Sequence, residues 1–106
     1  MDGKRIRVAV IDDHRVFAEA LASRLSNEPD LEVAGTAAAA SEAPELFSRT
    51  QIDVLALDLD LPGGDGRGVS RHLRAQWPDL AYAIFTRAVT PPRAAEAVRR
   101  RARRGY

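Results

Sequence analysis

There is no cysteine among the 106 residues of this chain. That excludes a disulfide framework and a thiolate metal site. No apolar run is long enough to span a membrane. The charged start Met1-Asp2-Gly3-Lys4-Arg5 leads into a strand-like segment, not into the apolar stretch of a signal sequence. A cytoplasmic location with no membrane contact is the expectation. There is no large charge of one sign either: sixteen Lys and Arg against fifteen Asp and Glu give a net +1, so bulk charge names no partner. Six of the sixteen basic residues lie between Arg93 and Arg104, but no aromatic residue is interleaved with them. A solvated helix end explains that run better than a nucleic-acid surface. Gly63-Gly64-Asp65-Gly66-Arg67-Gly68 lacks a Gly-Lys-Ser/Thr ending, so it reads as a turn leading into a helix and not as a nucleotide cradle. No repeat, low-complexity linker or composition shift marks a boundary, and the length suits one domain over residues 1–106.

What is present is a core and an alternation. Hydrophobic residues make up 45% of the chain, enough for the interior of a domain this size. Ile6–Ile11 reads as a strand. Val16, Phe17, Ala20, Leu21 and Leu25 recur at helical spacing, so about 15–26 reads as an amphipathic helix. Asn27-Glu28-Pro29-Asp30 stops it. Leu31–Gly35 reads as a short strand, and Ala37–Ala40 as a lead-in to a helix capped by Ser41 and running to Thr50. Val54–Leu57 reads as a third strand and Leu61–Gly66 as a loop. Val69, Leu73 and Trp77 mark a third helix closed by Pro78, with His72 and Trp77 as packing residues. Leu80–Phe85 reads as a fourth strand. Pro91 and Pro92 suit the first turn of a last helix that runs toward Arg103. Helices separated by strands throughout argue for an α/β fold with a parallel sheet.

Two of these apolar runs end in carboxylates. Asp12 and Asp13 follow the first strand, and Asp58 follows the third run. In open parallel sheets ligands bind beyond the carboxyl ends of the strands. If the first and third strands are neighbours, three carboxylates meet there. They repel one another unless a cation sits among them, and oxygen donors with room for water suit Mg²⁺. One carboxylate is then free to attack phosphorus. Each feature also has a plainer explanation. Asp12 and Asp13 could simply favour the positive end of the first helix. Asp58-Leu59-Asp60 is also similar to the nucleophile motif of haloacid-dehalogenase-type phosphatases, but that family carries it on the first strand and needs more chain. His14 suits a surface position at a helix start, and Thr86 alone would be an ordinary strand-end threonine.

Taken in order, these residues resemble a response-regulator receiver domain of two-component signalling. Asp12-Asp13-His14 is similar to that family's acidic pair. Asp58 in Leu57-Asp58-Leu59-Asp60-Leu61-Pro62-Gly63 looks like its phospho-accepting aspartate, and Thr86 after Ile84-Phe85 looks like its hydroxyl residue. The Asp-Asp-His start and the Glu28-Pro29-Asp30 turn resemble the subfamily that precedes a LuxR-type helix-turn-helix. The resemblance implies a doubly wound, flavodoxin-like parallel sheet of order 2-1-3-4(-5). It implies Mg²⁺ held by Asp12, Asp13, Asp58 and the backbone carbonyl of Asp60, with Asp58 as phospho-acceptor. It also implies that Thr86 meets the phosphoryl group and that Thr86 and Tyr106 act as switch residues.

The family continues with a lysine, a fifth strand and a fifth helix, whereas this sequence stops at Tyr106. A C-terminally incomplete receiver with no output domain is therefore the expectation. Asp60 adds a carboxylate close to an incoming phosphate. The implied function is phosphotransfer from a histidine kinase to Asp58, controlling a transcriptional output. The domain is regulatory and not an enzyme beyond its own phosphorylation and dephosphorylation. The implied partner is the kinase, with DNA reached only through the output domain. The alternative is a non-phosphorylated, receiver-like interaction module with a vestigial acidic pocket. With its fourth strand as an edge lacking the cover of a last helix, the chain is expected to form a homodimer or a strand- or helix-exchanged oligomer.

Overall fold

Each of the four apolar runs forms a strand. In the computed structural model, which describes residues 5–58, 71, 73–85 and 90–104, β1 is Ile6–Ile11, β2 Leu31–Ala37, β3 Val54–Asp58 and β4 Ala81–Phe85. Helix α1 is Arg15–Ser26, α2 is Ala43–Arg49 after a 3₁₀ turn at Ala40–Glu42, and α4 is Pro91–Arg104. Helix α3 is described over 73–76. Every pairing is parallel and the order is β2-β1-β3-β4. The doubly wound α/β reading therefore holds.

The side chains of β1 alternate between two cores. Val8 and Val10 join Leu21 and Leu25 of α1 on one face. Ala9 and Ile11 join Leu46 of α2 and Leu73 of α3 on the other. All five residues of β3 are buried, as a continuous apolar run in a central strand requires.

Several boundaries and faces differ from expectation. β2 runs two residues beyond Gly35, because Thr36 and Ala37 pair with Val10 and Ile11. Ser41 is not the cap of α2; the capping position is Glu42, which makes no side-chain cap bond. Pro44 in the first turn favours a start there. In α1 the buried stripe is Ala18, Leu21 and Leu25, spaced three and four residues apart on one face. Ala20 is exposed, and Val16 is 74% exposed. Trp77 does pack: its ring meets Phe47 edge-on, with centroids 4.6 Å apart.

The last helix gives the largest difference. The fourth strand does have helical cover. Ala94, Ala95, Val98 and Ala102 of α4 are buried with Ala83, Val8, Val10 and the α1 stripe. α4 thus shares the α1 face of the sheet, opposite α2 and α3. Arg99 secures it there. Its guanidinium makes two hydrogen bonds to Asp30, at 2.7 and 3.0 Å, and a third to Glu28. Both acceptors lie at the turn between α1 and β2.

At the opposite end of the strands from the acidic pair, Arg7 ties β1 to the chain before β3. Its Nε donates to the Gln51 carbonyl at 2.8 Å, its backbone N–H donates to Asp53 Oδ2 at 2.9 Å, and its guanidinium also reaches Thr50. Among the described residues, no helix is long and apolar enough to cross a membrane.

Candidate metal centre

The sheet register decides where the carboxylates go. Ile11 pairs with Leu57 across β1 and β3. The next residue on each chain is an aspartate, so Asp12 and Asp58 lie abreast at the same strand edge. Asp58 also pairs with Phe85 at the end of β4. Asp12 is held from both sides: its N–H donates to the Ala37 carbonyl at 3.0 Å, and its Oδ1 accepts from the His14 N–H at 2.8 Å. His14 occupies the capping position of α1 and makes no side-chain cap bond, which fits its reading as a helix-start residue.

One ligand oxygen from each of Asp12, Asp13 and Asp58 lies within 4.8 Å of the others. Asp12 is 2% exposed, Asp58 is 0% exposed and Asp13 is exposed. Two buried carboxylates and a third at the mouth form a hard, oxygen-only donor set. Carboxylates packed this closely are costly in a low dielectric without a compensating cation. An oxygen-preferring divalent ion that keeps some of its water fits such a set, and Mg²⁺ is the ordinary example. Helix capping alone does not account for this convergence, because Asp58 lies on a different strand.

The pocket opens into a cleft of about 380 Å³, lined by Asp12, Asp13, Arg15, Thr36, Ala37 and Glu42 among others. Arg15 is engaged by Glu19 at 3.2 Å. Sequence reading did not single out Ala37 or Glu42 for the site. Ala37 acts through a backbone carbonyl, which no residue pattern advertises. Glu42 reaches the wall only because the 3₁₀ turn follows the extended β2. The Asp60 carbonyl, Thr86, Tyr106 and the loop after Asp58 lie outside the described residues, as do Val69 and His72.

The sequence pattern of the response regulator receiver domain matches residues 8–104. The chain is 36% identical over 81 residues to the DNA-binding transcriptional activator DevR/DosR of Mycobacterium tuberculosis, covering 76% of this chain and 37% of that protein. It is 40% identical over 75 residues to a protein-glutamate methylesterase/protein-glutamine glutaminase of Syntrophotalea carbinolica, covering 71% of this chain and 21% of that one. Among solved structures it is similar to a LuxR-family two-component response regulator from Aurantimonas, with 31% identity and a TM-score of 0.72 over 89% of this chain and 69% of the other. The chain thus spans well under half the length of these curated relatives. The match over nearly the whole chain, the 2-1-3-4 parallel sheet and the carboxylates at its edge agree: the chain belongs to the response-regulator receiver domain family.

Proposed function

We propose that this receiver takes a phosphoryl group onto Asp58 from the phosphohistidine of a histidine kinase, and that this phosphorylation controls a transcriptional output. The observation that carries the reading is the convergence of Asp12, Asp13 and Asp58 within 4.8 Å. DevR/DosR is named a transcriptional activator, which supports an output of that kind. Asp12, Asp13 and Asp58 fit Mg²⁺ as protein ligands, and the receiver pattern implies that the Asp60 carbonyl would be a further donor.

Asp58 takes the nucleophile's role because it ends β3, the position at which the receiver pattern carries its phospho-accepting aspartate. One of its oxygens forms the new O–P bond as the N–P bond to the kinase imidazole breaks, and the imidazole leaves with its nitrogen lone pair. Asp58 is buried and Asp13 is exposed, so a phosphodonor would approach from the side of Asp13. Bound Mg²⁺ would supply charge neutralisation for the phosphoryl oxygens. Asp12, fixed by Ala37 and His14, holds its carboxylate in place without reorganisation. Thr86 would hydrogen-bond the transferred group, and Thr86 with Tyr106 would pass the change to the surface.

The deciding experiment is titration with beryllofluoride, a phosphoryl mimic, with and without Mg²⁺, followed by amide NMR. Mg²⁺-dependent shifts around Asp58 that vanish in Asp58→Asn support phosphotransfer. No shift at saturating Mg²⁺ and mimic would favour the interaction module with a vestigial pocket.

A further inference from the structure

We infer that Arg15 is the side chain that receives an anionic phosphodonor at the mouth of the acidic pocket, and that Glu19 competes with the donor for it. The inference rests on the phosphotransfer reading and names a residue that sets the rate with small acyl phosphates.

The residues concerned all lie in β1, α1 and the connection from β2 to α2. The cleft of about 380 Å³ beside Asp12 and Asp13 follows the flank of α1 past Ala18 and Glu19. Its lining among the described residues carries four carboxylates, Asp12, Asp13, Glu19 and Glu42, and one cation, Arg15. A divalent ion among Asp12, Asp13 and Asp58 would set two positive charges against three negative ones, so the pocket stays negative. A phosphate dianion entering it meets repulsion on every wall except at Arg15.

Stability does not explain an arginine at this position. Arg15 is the first residue of α1, at the positive end of the helix macrodipole, where a cation is unfavourable. No acidic residue offsets it in the first turn. Its pairing with Glu19 runs from the cation to the carboxylate over four positions, the weaker direction for such a pair. The two side chains are 89% and 69% exposed, so water screens the contact and it separates at little cost. Arg15 Nε donates to Glu19 Oε2 at 3.2 Å. Among the described residues, no other acceptor holds the guanidinium, and its terminal nitrogens are left for another anion.

A guanidinium fork matches two phosphate oxygens with parallel hydrogen bonds. Arg15 turned from Glu19 to the donor would hold the phosphoryl group by charge and orientation. Asp58 then forms its O–P bond as the P–O bond to the leaving carboxylate breaks, and the carboxylate departs with the electron pair. Arg15 keeps its proton throughout.

Labelling of Asp58 by acetyl phosphate in Mg²⁺, with the Mg²⁺ affinity of each variant measured alongside, tests this. Arg15→Ala is expected to slow labelling roughly fivefold, the size of a charge-assisted contact partly open to solvent. Its rate should also fall less steeply with added salt than that of the wild type. Arg15→Lys should restore part of the rate, because it returns the charge without the fork. Glu19→Gln should speed labelling roughly twofold, because the competing carboxylate is gone. Mg²⁺ should bind Arg15→Ala at least as tightly as the wild type, since a cation beside the metal has been removed. An Arg15→Ala protein labelled at the wild-type rate overturns this inference alone. So does slow labelling that comes with weaker Mg²⁺ binding, since the damage would then lie in the metal pocket. A wild type that takes no label overturns the phosphotransfer reading, and this inference with it.

Discussion

Arg99 on the last helix grips Asp30 at the turn before β2, Nε to Oδ2 at 2.7 Å and Nη2 to Oδ1 at 3.0 Å. Sixty-nine positions separate the two residues in sequence. The pair, with Glu28, holds α4 on the α1 face. The fork geometry of a guanidinium on a carboxylate is the strong form of such a contact. Arg99→Ala should lower stability by about 1–2 kcal/mol, since Asp30 is half-exposed and solvent weakens the pair. Arg99→Lys should recover only part of this. Urea unfolding checks both. Asp30 and Glu28 hold the Arg99 guanidinium protonated above its ordinary range. Its contribution is therefore complete at neutral pH and disappears only at alkaline pH beyond the ordinary arginine value.

Tyr82 sets an alkaline limit of a different kind. Its side chain is buried and its hydroxyl has no hydrogen-bond partner among the described residues. Burial pushes its pKa above the ordinary 10.0, with Arg74 over the ring opposing that rise. The folded protein thus keeps the phenol proton where the unfolded chain releases it. Stability should be full below about pH 10 and fall as pH rises past it. Tyr82→Phe should remove that slope and change stability at pH 7 by less than about 1 kcal/mol. Thermal melts between neutral and alkaline pH give the comparison.

Gly35 allows α2 to approach β2. A Cβ there would lie 2.5 Å from Leu46 Cδ1, and Leu46 is 3% exposed with little room to move. Gly35→Ala should cost about 1–3 kcal/mol by overpacking. Leu46→Val shortens that side chain, so the double variant should be more stable than the two single losses summed. A chemical-denaturation cycle measures the coupling.

The acidic pocket should make stability depend on metal. In the absence of divalent ions, Asp58→Asn should stabilise the fold by about 1 kcal/mol, because one of three crowded carboxylates is neutralised. With Mg²⁺ the order should reverse: the wild type gains and Asp58→Asn gains much less. Asp13→Asn should weaken Mg²⁺ binding while leaving the buried pair in place. Melting temperature against Mg²⁺ concentration reads all three. An equal Mg²⁺ response in wild type and Asp58→Asn would contradict the site.

Asp60 follows the phospho-acceptor by two residues in the sequence. A negative charge so close to an incoming dianion should slow phosphorylation. Asp60→Asn should speed labelling of Asp58 by a small phosphodonor roughly two- to fivefold, the size of a like-charge contact in a wet pocket. An unchanged or slower rate would remove repulsion as the role of this residue.

Much of this protein is determined locally. Apolar runs of four to six residues, short and bounded by turn signals, become buried strands, and the ends of α1 follow from helical spacing and the Asn27–Asp30 stop. Even the acidic pocket was legible, because residues at the ends of neighbouring parallel strands must share an edge. Other features depend on partners distant in sequence. That Val16 points outward and Ala18 inward depends on the angle at which α1 leaves Asp12, which the Ala37 carbonyl helps to hold. The placement of Ala37 and Glu42 at the site depends on β2 continuing past Gly35, and hence on its pairing with Val10 and Ile11. The face chosen by α4 was beyond sequence reading altogether. Its stripe of Ala94, Ala95, Val98 and Ala102 would suit either side of the sheet. The choice rests on Arg99 meeting Glu28 and Asp30, and no local pattern can express a contact across that distance.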